Sequence, residues 1–295
     1  MASSSFQRKM KPKLPEIAGV SPSLFTNQLL VSTGVPDLDI LLGGGLVIGS
    51  VLVISEDFSG NFSRLMLKYF LSEGVVHKHS LLATNSSPDC KILTQNLPSF
   101  EFNTNNSASA GDAAANDEKM MIAWRYQGQN TTKDTNINIS NVNNSEHTFN
   151  LLKTVPSEVL DRCDISVCDI ESDSDDDQWI HSSYCKVIKQ IQDKIKSGGF
   201  LIDPTEPGDH TNILRIGIQS LGLSLWGDLQ HQQKHLPMFL YCLRSLLRSC
   251  FGVAVITIPA TVLRNVKNIL HLTQLVASIR SNYMCYSSNF LSNIA

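Results

Sequence analysis

The sequence predicts an α/β fold with a mostly parallel central sheet flanked by helices. Apolar runs of strand length alternate along the chain with segments whose apolar residues recur at helical spacing. The run GVAVITIP at 252–259 is continuously apolar, which is typical of a strand buried on both faces at the sheet centre. A chain of 295 residues that is 42% hydrophobic is long enough to bury such a core.

In the first half of the chain the predicted order is strand, helix, strand, helix, which favours right-handed parallel crossovers. One or two helical turns at 36–42 precede this order and end at Gly43–Gly45, where a positive φ is expected. The predicted elements are a strand at 51–54, a helix at 63–73 closed by Gly74, a strand at 80–83, and a helix that begins at Ser87-Pro88-Asp89.

The second half of the chain continues the same pattern. Five leucine and phenylalanine residues share one side of the last predicted helix, which is the periodicity of a helix packed on a sheet. The predicted elements are a helix at 180–195 that ends at Ser197-Gly198-Gly199, a strand at 212–219, a helix at 237–249 and the strand at 252–259.

Composition divides the chain into one folded domain with disordered additions. Residues 1–26 form a Ser-, Pro- and Lys-rich basic tail, and residues 27–279 form the domain. Asn-rich or acidic tracts at about 103–117, 127–147 and 169–178 are predicted as disordered insertions, because they cannot bury enough apolar area. From residue 280 to 295 the chain becomes a polar, atypical tail.

Charge and cysteine content exclude several classes of protein. The formal net charge of −3 gives no global basic field, so any nucleic-acid binding must be local. The seven cysteines contain no C-x-x-C pair, and the acidic run at 169–177 lacks the turn Gly and the final Glu of a calcium loop, so no metal site is predicted. Neither an apolar signal core nor a membrane-spanning run occurs, which predicts a soluble intracellular protein with no membrane partner.

The stretch after the strand at 51–54 aligns with a phosphate loop, G-x-x-x-x-G-K-[ST], but lacks its chemistry. Ser55 takes the first Gly position and Gly60 keeps the second, whereas Asn61 replaces the Lys and Phe62 replaces the hydroxyl residue. The loop also carries Glu56 and Asp57, whose carboxylates would repel a triphosphate by roughly 1 to 4 kcal/mol per charge pair.

The motif T-G-[IV]-x-x-L-D-x-L-L-G-G-G, matched at 33–45, resembles the segment that precedes the phosphate loop in one branch of the RecA superfamily. The resemblance implies a RecA-like fold. It places Gln219 where an Asp should hold Mg²⁺, and Asn85 where the general base should lie. We therefore expect no catalytic residue in this chain. An unconventional ATPase that uses Arg64, Lys68 or a neighbouring subunit's residues remains the alternative, whereas a DNA-recombination protein would require the missing Lys and Asp.

Four further segments resemble the family of Elongator complex subunit 4. They are LLGGGLVIGSVLVISED at 41–57, EKMMIAWRY at 118–126, NILRIGIQSLGLSLWGD at 212–228 and FLYCLRSLLRSCFGVAVITIP at 239–259. The resemblance implies a six-membered ring with Elongator subunits 5 and 6 that binds tRNA, in the cytoplasm and nucleus. It also implies that the catalytic Elongator subcomplex adds the carboxymethyl-type group to carbon 5 of the wobble uridine. No cofactor is expected for this chain, and weak ATP binding by the assembled ring stays open.

Two groups of residues are candidates for contacts with these partners. Arg215, Arg244, Arg248 and Arg264 are candidates for tRNA binding along a central pore, with surface ion pairs as the alternative role. Trp124, Tyr126 and Trp226 are candidate interface anchors, with packing in the chain's own core as the alternative. The family's domain continues beyond the strand at 252–259, so the resemblance also implies that this chain is shortened at its C-terminus.

Overall fold

The computed structural model describes residues 17–23, 26, 28–85, 91–102, 147–168, 170, 182–202, 211–227, 229–265, 275–280 and 283–286. Residues 1–16 of the tail predicted at 1–26 and the helix start at Ser87-Pro88-Asp89 lie outside the described residues. So do Trp124, Tyr126 and the three predicted insertions, apart from His147 and Ile170. Within the same predicted tail, Val20–Pro22 form a strand that pairs with Leu29–Val31.

The described chain forms twelve strands and seven α-helices. In chain order they are β1 (Val20–Pro22), β2 (Leu29–Val31), α1 (Pro36–Leu41), β3 (Leu46–Val47), β4 (Val51–Glu56), α2 (Asn61–Val76), β5 (Ser80–Asn85), α3 (Lys91–Gln95), β6 (Pro98–Phe102), β7 (His147–Thr154), α4 (Ser157–Leu160), β8 (Ile165–Cys168), α5 (Ser182–Ser197), β9 (Leu214–Gln219), α6 (Leu229–Arg248), β10 (Gly252–Pro259), α7 (Ala260–Asn265), β11 (Leu275–Arg280) and β12 (Tyr283–Tyr286).

Seven of these strands form the central sheet, in the order β12-β11-β4-β10-β9-β5-β8. Every neighbouring pair is parallel except β11 with β12. The predicted α/β fold is therefore confirmed. The run at 252–259 lies between β4 and β9, which places it inside the sheet as its continuous apolar composition predicts.

Alternate residues of the inner strands face two separate apolar layers. On β10, Ala254, Ile256 and Ile258 join the layer that α5 and α6 cover, whereas Val253 and Val255 join the layer under α2. This alternation follows from the period of two in a strand, and it explains why a strand between two helix layers is apolar at every position.

Two helices, α2 and α6, extend well beyond their predicted bounds. α2 continues through Gly74 to Val76. A Cβ at Gly74 would lie 2.4 Å from Leu81 Cδ2 and 2.9 Å from Arg215 Cδ, so a larger side chain would not fit between the helix and the sheet. Gly74 thus permits close packing and does not end the helix. α6 begins at Leu229 and contains Pro237, because buried residues such as Gln232 and Leu236 continue its packed face before the proline.

Several short strands escape sequence-based prediction. β1, β2 and β3 form a small antiparallel sheet, and β6 pairs with β7 across the Asn-rich insertion. β1, β2, β3 and β6 have two to five residues, too few positions to show a period of two. β7 has eight residues and begins at His147, the last residue of a predicted insertion. β12 lies in the stretch predicted as an atypical tail.

The motif at 33–45 has a structural role that centres on Asp39. The Asp39 carboxylate accepts hydrogen bonds from Ser32 Oγ (2.6 Å), the Thr33 backbone N–H (2.8 Å) and Thr33 Oγ1 (2.7 Å). Gly43, Gly44 and Gly45 all have positive φ, as predicted, so the chain turns sharply between α1 and β3. The motif therefore fixes the approach of the chain to β4.

A buried guanidinium joins this motif to the sheet. Arg215 on β9 is fully buried under α2, donates through one terminal nitrogen to the backbone oxygens of Ser32 (2.9 Å) and Phe70 (3.0 Å), and donates through Nε to His79 Nδ1 (3.0 Å). Burial lowers the pKa of Arg215 to about 10, whereas the carboxylates of Glu73 and Asp39 act to raise it. Arg215 therefore stays cationic and holds four separate parts of the chain together.

Glu73 on α2 is the principal counter-charge of Arg215. Its two carboxylate oxygens also accept hydrogen bonds from His77 (3.2 Å) and His147 (2.9 Å). Burial acts to raise the pKa of Glu73, but these hydrogen bonds and the charge of Arg215 outweigh it and lower the pKa far below its usual range. Since His147 lies on β7, the same carboxylate attaches the β6–β7 hairpin to α2.

We expect Arg215→Met to lower the free energy of unfolding by about 3 to 5 kcal/mol, because it leaves buried acceptors and Glu73 without their cation. Urea denaturation followed by circular dichroism measures this loss. Lys196→Met, which removes an exposed cation from α5, serves as the control and should change stability little. Equal stability of the two variants would contradict the role given to Arg215.

We expect the free energy of unfolding to decrease as the pH decreases, and we expect His79 to cause part of this decrease. Burial and the neighbouring Arg215 charge lower the pKa of His79 to about 3, from 6.5 for an unperturbed imidazole. The folded state thus binds the proton more weakly than the unfolded state, so this stabilisation is complete above pH 6.5 and is lost as pH falls toward 3. Wild type should lose up to about 1.4 kcal/mol per pH unit more than His79→Gln in urea titrations between pH 6.5 and 4.5. If the unfolding free energies of wild type and His79→Gln fell in parallel with decreasing pH, the low pKa assigned to His79 would be wrong.

Candidate functional site

The candidate site is the carboxyl edge of the central sheet, where the loop after β4 leads into α2. In open α/β sheets ligands bind at this edge. The loop reaches α2 through Gly60, whose φ of +66° is left-handed, and Asn61 is the first residue of the helix. Ser55 is buried in β4, opposite Ile258 of β10. The strand, the left-handed glycine and the helix start thus follow each other in the order that the sequence alignment predicts.

The side chains of the loop do not fit a phosphate. Phe62, which takes the place of the hydroxyl residue, is 60% exposed on the first turn of α2, and Phe58 is fully exposed in the loop. An aromatic ring offers neither a positive charge to the phosphates nor an oxygen to Mg²⁺. That Asn61 and Phe62 replace the two functional groups of a phosphate loop stays a prediction from the sequence.

An acidic residue of the loop lies at the start of α2. The Asp57 carboxylate accepts a hydrogen bond from Ser59 Oγ. Burial acts to raise the pKa of Asp57, but hydrogen bonds from the Ser59 side chain and from backbone N–H groups, including that of Ser63, lower it overall. The positive end of the helix dipole therefore already has an anion, and an incoming phosphate would meet a like charge.

A second carboxylate closes the edge between β4, β9 and β10. Glu56 Oε1 accepts hydrogen bonds from Ser220 Oγ (2.8 Å) and Thr257 Oγ1 (2.6 Å), and the Ser220 backbone N–H donates to Thr257 Oγ1 (2.8 Å). Ser220 has a φ of +53°, a left-handed conformation that is uncommon outside glycine. This cluster joins three strand ends directly, where an active enzyme of this superfamily would place Mg²⁺ and phosphate between them.

The structure brings Gln219 and Asn85 together at the same edge. They are register partners at the ends of β9 and β5, and the Gln219 side chain is buried. Neither residue type carries a charge, so this pair lacks the anionic oxygen and the base that Mg²⁺-assisted hydrolysis requires. Sequence analysis missed the Glu56–Ser220–Thr257 cluster, although hydroxyl residues near the ends of two predicted parallel strands were a usable signal.

Two of the predicted contact residues are corrected by the structure. Arg215 cannot contact tRNA in this fold, because its side chain is fully buried and binds backbone oxygens and His79. Trp226 is also fully buried, with its ring 5.2 Å from that of Tyr184 and 6.0 Å from that of Phe239, so it is a core residue rather than an interface anchor.

The remaining arginines do not form one patch with each other. Arg248 ends α6 just before β10 begins, whereas Arg264 lies on α7 beyond the other end of β10. The eight residues of β10 separate them by roughly 26 Å along the strand. Arg244 lies one helical turn before Arg248 on the same helix, so these two alone can act together.

Two kinds of site are not seen in the part of the chain that the structure describes. Its His, Cys, Asp and Glu side chains form no group of three or more suited to a metal ion. Among the helices described, none combines the length and apolar composition needed to cross a bilayer.

Comparison with known proteins gives one family. The family model described as PAXNEB protein matches residues 13–281. Elongator complex protein 4 of Xenopus laevis is 37% identical over 279 residues, which is 88% of this chain and 67% of the relative. Those of Mus musculus and Homo sapiens are 37% and 36% identical, over 89% and 90% of this chain and 67% and 65% of their own lengths. The chain thus spans about two thirds of the length of these relatives.

We expect Glu56→Ala to lower the free energy of unfolding by about 1 to 3 kcal/mol, because two hydroxyls lose a charged acceptor. Glu56→Gln keeps an oxygen acceptor and should cost less. Chemical denaturation measures both variants, and Glu101→Ala, on the exposed hairpin, serves as the control with stability close to wild type. If Glu56→Ala were as stable as the control, the cluster would not join the strand ends as described.

Proposed function

Because the chain belongs to the PAXNEB family, the family of Elongator complex protein 4, we propose that it acts as a non-catalytic subunit of the Elongator complex. In this proposal it forms a RecA-like six-membered ring with Elongator subunits 5 and 6. The ring binds tRNA and supports modification of carbon 5 of the wobble uridine, while another subcomplex of Elongator carries out the chemistry. The place of action would be the cytoplasm and the nucleus.

The observation that carries the non-catalytic role is the state of the carboxyl edge. Asp57 supplies an anion to the start of α2, and Glu56 joins three strand ends through Ser220 and Thr257. A retained phosphate site would keep these positions free for Mg²⁺ and phosphate oxygens. The side chains at this edge instead bind one another and stabilise the protein. This supports a subunit that is retained for its structure and not for nucleotide chemistry.

Exposed apolar side chains at the same edge support the ring. Phe58 in the loop, Phe62 on α2 and Leu223 after β9 are all exposed. Large aromatic side chains contribute strongly to interface energy when a partner desolvates them. In proteins of this superfamily the nucleotide site lies between neighbouring subunits, so a subunit can lose its own chemistry and keep the contact surface. We therefore assign Phe58 and Phe62 to the subunit contact in place of Trp226.

Co-expression of this chain with Elongator subunits 5 and 6, followed by native mass spectrometry, tests the proposal. We expect a six-membered assembly that binds tRNA in a filter-binding assay. Phe58→Ala with Phe62→Ala should weaken the assembly at least about tenfold, because two apolar anchors are lost. Phe102→Ala with Leu152→Ala removes comparable exposed apolar area from the hairpin and is the matched control. A chain that stays monomeric, or an assembly without affinity for tRNA, would contradict the proposal.

A further inference from the structure

The outward face of α6 carries positive charge without any acidic residue. Among the twenty residues of α6 are Lys234, Arg244 and Arg248 but neither Asp nor Glu, in a chain whose net charge is −3. The spacing of 234, 241, 244 and 248 places all four residues on one side of the helix. The opposite side is buried against the sheet and carries Leu236, Phe239, Leu240, Leu243 and Leu247.

None of these three cations is neutralised by the part of the chain that the structure describes. In the described residues, Asp164 pairs with Lys194 and Glu101 with Lys153, and no carboxylate there pairs with a cation of α6. The Nε atom of Arg244 is buried and has no hydrogen-bond partner among the described residues. A stripe of unpaired cations repels itself, so it is stabilised by an anionic partner.

An exposed aromatic ring lies within the same stripe. Tyr241 is 61% exposed and lies one helical turn from Arg244 and two from Arg248. Arginine next to an exposed aromatic side chain is the combination that binds nucleic acid, because the cation contacts phosphate and the ring stacks on a base. Tyrosine and arginine also anchor protein–protein contacts, so loss of assembly is one outcome of the test below.

α5 extends the positive face. It packs beside α6, with the Tyr184 ring 5.4 Å from that of Phe239. α5 contains four lysines and one aspartate, and Lys189 and Lys196 are exposed on it. Of these lysines, Lys194 pairs with Asp164. Exposed Lys189 and Lys196 therefore add positive charge on the helix next to α6.

We infer that this α5–α6 face binds RNA, with Arg244, Arg248 and Lys234 on backbone phosphates and Tyr241 stacked on an unpaired base. The inference rests on the proposed function, because it names the surface through which the subunit would hold tRNA. The fourteen helical steps from Lys234 to Arg248 span about 21 Å, long enough to follow several phosphates of one strand. It also moves Arg244 and Arg248 from a ring pore to an outer helical face.

The test measures tRNA binding by the co-expressed assembly with subunits 5 and 6, by fluorescence anisotropy at several salt concentrations. Arg244→Ala with Arg248→Ala should weaken binding about tenfold and reduce the salt slope by about 2, one for each lost phosphate contact. Arg244→Lys with Arg248→Lys should retain most of the slope.

Tyr241→Ala should weaken binding about fivefold or more with the slope unchanged, since stacking releases no counterion. Arg162→Ala with Lys153→Ala removes two cations outside this face and is the matched control, expected to bind like wild type.

The possible outcomes separate this inference from the proposed function. A wild-type assembly that fails to bind tRNA contradicts the proposed function itself. If wild type binds tRNA and the Arg244/Arg248 variant assembles and binds with the same affinity and slope, the inference about this face is wrong. If that variant no longer assembles, the face is a contact between subunits, and the inference is equally overturned.

Discussion

The buried guanidinium of Arg215 is the interaction on which the rest of the fold depends. It is placed by β9 beneath α2, and it binds the backbone of Ser32 and Phe70 and the ring of His79. Its charge also faces Glu73, whose carboxylate holds the β6–β7 hairpin through His147. One cation thus fixes the small antiparallel sheet, α2, the start of β5 and, through Glu73, the hairpin. A cation this deeply buried is stable only because its oxygen and nitrogen partners are arranged around it.

Because these contacts hold the backbone of the sheet and of α2, the side chains at the carboxyl edge can differ from those of a phosphate site while the fold is kept. Gly60 leads into α2 with a left-handed φ, and the neighbouring Asp57 and Glu56 make hydrogen bonds within the chain. Exposed Phe58 and Phe62 at that edge and the cationic outer face of α6 are features of a protein that works through its surfaces. Both surfaces depend on the sheet for their position.

Sequence analysis succeeded where a segment was long and its chemistry local. The strands β4, β9 and β10 were predicted because both of their faces are apolar, whereas the losses assigned to Asn61, Phe62 and Gln219 stay predictions. It failed where tertiary packing decides. The burial of Arg215 and Trp226 depends on what α2 and α5 bring over them, and Pro237 is accommodated because the packed face of α6 continues before it. The Glu56–Ser220–Thr257 cluster joins residues more than 150 positions apart, so only the assembled sheet reveals it.

The central claim is that the loop keeps the shape of a phosphate site and has lost its affinity. Calorimetric titration of Mg-ATP into the isolated chain, and into an Asp57→Gly, Asn61→Lys, Phe62→Thr variant with the loop chemistry restored, tests it most directly. We expect no saturable binding by wild type up to millimolar nucleotide and measurable binding by the variant, because the backbone frame and the helix end remain in place. Micromolar affinity of the wild-type chain with turnover of ATP would contradict the claim and favour an unconventional ATPase.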